Sequence, residues 1–114
     1  MNVSGIIDEG RRLSESLDNA LRTHKTASTD AAHADVAFRK AWATAYLRAD
    51  GTVKHREATA DLETADARLA WLLADGSRVS ELEVIRSRRQ QISLLQSEAA
   101  AFRAEAEVGA YGPQ

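Results

Sequence analysis

Residues 41 to 58, AWATAYLRADGTVKHREA, bring aromatic rings, cations and a chain reversal closer together than anywhere else in the sequence. Trp42 and Tyr46 stand one helical turn apart, just before a reversal at Ala49-Asp50-Gly51; Arg48 lies beside it and Lys54, His55 and Arg56 follow. Rings so spaced can stack nucleobases, and cations can neutralise phosphates, so the chemistry offered is the binding of a single nucleic-acid strand. Lys54, His55 and Arg56 fall in the first turn of the helix expected after the reversal. Cations there oppose the helix macrodipole, while the free N–H groups of the turn attract anions. A packing role, as an apolar plug in the elbow of a hairpin, accounts for Trp42 and Tyr46 equally well.

Other chemistries find little foothold. A second basic cluster, Arg86, Arg88 and Arg89 with Arg11 and Arg12, reads first as a solvated helix face. The histidines, His24, His33 and His55, match no metal-ligand spacing, and cysteine is absent, so thiolate sites, disulfides and cysteine nucleophiles are excluded together. Asp61, Glu63 and Asp66 scatter around a helix without converging as an acid/base pair. There is no phosphate-cradling glycine loop. The expectation is a non-enzyme with no cofactor and no metal.

Composition agrees with a helical binding protein. Hydrophobic residues make up 44% of the 114 but aromatics only 5%, so much of the apolar content is alanine, a helix former that builds thin cores. The net charge of −2 means that any nucleic-acid contact must be a local patch. The longest apolar run, LAWLLA at 69–74, is too short to cross a bilayer, and MNVSGIIDEGRR lacks the apolar stretch of a secretory signal. A cytoplasmic location is expected, with no membrane partner.

Helical periodicity organises the chain. Ile6, Gly10, Leu13, Leu17, Ala20, His24, Ala27, Ala31, Ala34, Phe38, Ala41 and Ala45 keep a three-four spacing through five heptads. Ser4 is the expected N-cap, and His24 a register-setting polar residue within the stripe. This predicts one helix over about 4–49, roughly 65 to 70 Å long. A turn at 50–52 follows, with Gly51 left-handed and Thr52 capping a second helix over about 52–107. There Leu62, Ala65, Leu69, Leu72, Gly76 and Val79 form one stripe and Ile85, Ile92, Leu95, Ala99, Phe102 and Ala106 another, out of phase between Leu82 and Ile85. Asp75-Gly76-Ser77 near that shift fits a kink, a local unwinding or a turn; we read a helix that passes through it, bent at most. Residues 109–114 read as a flexible tail.

The predicted fold is therefore all-α: a single domain over 1–108, a long antiparallel helical hairpin assembling into a helical oligomer. Core and oligomer contacts are assigned to Leu13, Leu17, Phe38, Leu62, Leu69, Leu72, Ile85, Ile92, Leu95 and Phe102. Two helices alone leave apolar flanks uncovered, which is why self-association is expected.

VKHRE at 53–57, behind AWATAYLRA, resembles the Leu-Lys-Ala-Arg-Glu motif of the UvsY recombination mediators of T-even phages, with Val53 for leucine and His55 for alanine. The resemblance covers residues 38 to 62. It implies a phage protein acting in the bacterial host cell, with Lys54 and Arg56 as strand-binding cations. It also implies a ring-shaped homo-oligomer and partners that include single-stranded DNA, a RecA-like recombinase and a single-strand-binding protein. The alternative is a coiled-coil interaction or assembly scaffold protein with no nucleic-acid role.

Overall fold

Asn2 rather than Ser4 opens the first helix. Its Oδ1 accepts the Gly5 N–H at 2.7 Å and its carbonyl accepts the Ile6 N–H at 3.0 Å, satisfying donors that the helix leaves open. In the computed structural model, which describes residues 2–110, α1 then runs over Val3–Arg48. It is followed by α2, Val53–Glu63, and α3, Ala65–Ala110. No strand occurs among the described residues, and the fold is an all-α antiparallel helical hairpin. Gly76 lies inside α3, and the helix passes through it. The irregularity falls instead at Thr64, where φ is −107° and ψ 13°. The Thr64 hydroxyl donates to the Ala60 carbonyl at 2.6 Å, the back-bonding that distorts helices at threonine. Helix bonding nonetheless continues across it, from Thr64 N–H to Ala60 and from Arg68 N–H to Thr64. At the C-terminal end α3 includes Gly109 and Ala110, which the sequence reading gives to a flexible tail; the rest of that tail, 111–114, lies outside the described residues.

The chain divides into two compact units, Met1–Arg22 with Glu83–Gln114, and Thr23–Leu82, where the sequence reading has one domain. In the first unit, Leu13, Ile85 and Leu95 are buried, with Leu17 and Ile92 half-buried around them. Ser16 pairs with Arg88, and Gly10 sits against Leu95, so the numbering falls along one helix as it rises along the other. Phe102, 37% exposed, does not close this core; with Val3, Ile6 and Ile7 it lines an open apolar recess.

The second unit is an alanine core. Ala31, Ala45 and Ala60 are buried, and Phe38 stacks on Trp71 with centroids 5.8 Å apart. The α1 stripe faces inward as its periodicity predicts. The stripe of Leu62, Leu69, Leu72 and Val79 does not: these are 80%, 54%, 49% and 43% exposed. The inward face is instead Ala60, Thr64, Ala67, Trp71, Ala74 and Arg78, all buried or half-buried. Trp71 stacks on Phe38 of α1, and with this ring turned inward Leu62, Leu69 and Leu72 fall on other faces of the same helical stretch. With this face the spacing runs on through Ile85 to Ala99 without the phase shift expected after Leu82.

Candidate nucleic-acid interface

The elbow is built from the ends of α1 and α2. Arg48 ends α1, and the Ala49 N–H closes it on Ala45 and Tyr46 at 3.0 and 3.3 Å. Gly51 has φ 102°, a conformation that disfavours any residue with a side chain. Thr52 caps α2, its hydroxyl accepting the His55 N–H at 3.2 Å. Turn and cap thus follow the sequence reading.

The rings and Arg56 are committed to this architecture. Trp42 and Tyr46 stack on each other at 5.3 Å with planes 17° apart. Trp42 Nε1 donates to Asp61 Oδ1 at 2.9 Å, tying α1 to α2. The Arg56 guanidinium lies 4.5 Å from the Tyr46 ring centroid, and its Nε donates to the Tyr46 carbonyl at 3.2 Å. Arg56 lies in the first turn of α2, yet its charge sits at the C-terminal end of α1, where the dipole favours a cation. The electrostatic oddity of Arg56 in the first turn therefore has an internal explanation. Trp42, Tyr46 and Arg56 form a clamp.

Arg48, Lys54 and His55 remain exposed around the clamp, and none of them is in an ion pair among the described residues. Lys40, which the sequence reading passes over, joins them. Lys40, Thr44 and Arg48 follow one another at four-residue spacing and line a shallow groove with Glu63 and Thr64. That spacing was the available signal.

The second basic cluster is largely paired. Arg88 donates to Ser16 at 2.7 Å and Gln91 at 3.1 Å, Arg86 pairs with Glu83 at 2.6 Å, and Arg12 pairs with Glu9. The Arg12 hydrogen bond, aided by its charge, holds the Glu9 carboxyl below the usual range. Arg11 and Arg89 are exposed. Among the described residues no cluster of His, Cys, Asp or Glu could hold a metal ion, and no helix is long and apolar enough to cross a membrane. No family model, curated protein or solved structure matches this chain.

Proposed function

We propose that this chain is a self-associating helical protein that binds single-stranded DNA at its elbow, without catalysis, and acts as a recombination mediator of the phage type. The observation that carries the reading is the exposed set Lys40 and Arg48 on α1 and Lys54 and His55 on α2, flanking an elbow held by the Trp42–Tyr46–Arg56 clamp. Lys54 on a capped helix start, with Lys40 and Arg48 on the helix before it, can engage phosphates without ordering a loop first. The resemblance of VKHRE to the UvsY motif points the same way for Lys54, though not for Arg56. Trp42 and Tyr46 serve as positioning residues rather than as stacking platforms, and Arg56 shares that role.

Each elbow offers few charges, so affinity comes from several elbows on one strand, each contact weak and salt-sensitive. A strand so held is presented to a RecA-like recombinase as a single-strand-binding protein is displaced. The test is fluorescence anisotropy with an unstructured oligonucleotide at low and rising salt, followed by recombinase loading on strands coated with single-strand-binding protein. Failure to bind at low salt removes the reading.

A second reading, a coiled-coil interaction or assembly protein with no nucleic-acid role, is favoured by the leucine face left open on residues 62 to 79. Normal assembly by a protein that binds no strand would establish it.

A further inference from the structure

The open face of residues 62 to 79 has a pattern that fits one occupant. Leu62, Leu69 and Gly76 recur every seven residues, as do Ala65, Leu72 and Val79, so together they form both seams of a heptad on the side turned away from α1. Gly76 stands among them with nothing within 4 Å of the place a Cβ would take. A glycine there weakens the helix relative to alanine, and no contact within the chain accounts for it.

We propose that a second copy of this chain docks on this face, antiparallel, about a two-fold axis passing between Ala70 and Trp71. In that register Leu62 meets Val79 of the other copy, Ala65 meets Gly76, and Leu69 meets Leu72; the symmetry repeats each layer in reverse. Large residues meet large ones and small meet small, and the Ala65–Gly76 layers let the backbones approach. Charge fixes the direction. Arg68 and Asp75 flank the seam on one side and come opposite each other across the axis, twice. Arg68 is exposed, and Asp75 keeps 41% of its side chain accessible beside Arg78. A parallel pair in register would match sizes too, but would set Arg68 against Leu73 instead of a carboxylate. The antiparallel pair leaves the two elbows at opposite ends, roughly 50 Å apart along the shared helices.

This interface supplies the self-association on which the proposed strand binding rests for its avidity. The chain has no cysteine, so introduced thiols report without interference. Ala65→Cys and Gly76→Cys chains, mixed and mildly oxidised, are expected to cross-link to each other. Either variant alone is expected not to, because its two thiols lie about 16 Å apart, beyond the ~7 Å Cα separation a disulfide tolerates. Light scattering on the unaltered protein is expected to give at least two chains per particle. Leu69→Lys is expected to lower that mass with helicity unchanged, since the site is already exposed. Self-cross-linking of Ala65→Cys, no cross-link in the mixture, a monomeric wild type, or an undiminished mass for Leu69→Lys would each overturn the proposal. Strand binding is scored separately. A cross-linked pair that binds no oligonucleotide refutes the elbow reading and leaves the docking intact; a monomer that binds refutes the docking and the avidity it supplies, and leaves strand recognition at the elbow.

Discussion

Arg56 and Tyr46 join the two helices of the elbow through one guanidinium. Arg56 Nε donates to the Tyr46 carbonyl at 3.2 Å, while the charge centre lies 4.5 Å from the Tyr46 ring centroid. One side chain thus adds a second donor to a carbonyl at the end of α1 that also accepts the Ala49 N–H, and covers an aromatic ring that Trp42 also contacts. Residues on the same turn have divided roles: Arg56 holds the elbow, and Lys54 faces solvent.

That division predicts different outcomes for two neighbouring alanine variants. Arg56→Ala is expected to lower unfolding stability by roughly 1–2 kcal/mol, the range for a charge-assisted hydrogen bond with a cation–π contact. Arg56→Lys recovers only part, because an ammonium lacks the planar fork. Lys54→Ala is expected to leave stability unchanged or slightly raised by easing the dipole conflict. Urea unfolding measures all three; equal losses for Lys54→Ala and Arg56→Ala would refute the division.

The Trp42–Asp61 bond predicts coupling. Trp42→Phe keeps a ring but removes the donor, at about 1 kcal/mol, and Asp61→Ala removes the acceptor at a similar cost. A double-mutant cycle is expected to show the two changes as less than additive. Strict additivity would mean that the hydrogen bond contributes nothing.

Gly51 and Gly76 should respond oppositely to alanine. At Gly51, with φ 102° and the His55 ring 3.1 Å from a new Cβ, alanine is expected to destabilise by about 1–2 kcal/mol. At Gly76, inside α3 and in open space, it is expected to raise the melting temperature of the dilute protein, by about 0.5–1 kcal/mol in stability. Thermal unfolding by circular dichroism reads both, and a shared sign would contradict the assigned conformations.

How much of this was legible beforehand follows from what each signal measures. The α1 stripe was readable because its large ends, Ile6 to Leu17 and Phe38, share one phase with the alanines between them. Gly51 and Thr52 were readable because their chemistry is local. The stripe of Leu62, Leu69 and Leu72 misled because hydrophobicity ranks leucine above alanine, whereas the inward face carries Ala60, Ala67 and Ala74 with Trp71, whose ring stacks on Phe38 of the other helix. The clamp was hidden for a related reason: Arg56 in the first turn looks like a conflict until the end of α1 is placed beside it. Thr64 back-bonding to Ala60 carried no mark in the pattern.

Glu9 gives a pH prediction. Its carboxyl is held low first by the Arg12 hydrogen bond and also by the Arg12 charge. A depressed folded-state value means that the pair's stabilisation is present above the unfolded carboxylate range and is lost as pH falls through the folded value. Both groups are exposed, so the effect on global stability is small. Site-resolved NMR titration is expected to show Glu9 titrating at lower pH in the unaltered protein than in Arg12→Ala. Identical curves would remove the interaction.

The most direct test of the central claim is the salt dependence of oligonucleotide binding by Arg48→Ala/Lys54→Ala. Neither residue belongs to the clamp, so helicity and assembly are expected to match the unaltered protein. The unaltered protein is expected to bind an unstructured single strand at low salt. The variant is expected to bind more weakly, with the slope of log affinity against log salt flattened by about 1.4 per elbow, roughly 0.7 for each lost phosphate contact. Arg88→Ala/Arg89→Ala, outside the elbow, is expected to change that slope less. Unchanged affinity and slope in the elbow variant, or no binding by the unaltered protein at low salt, would contradict single-strand recognition at this site.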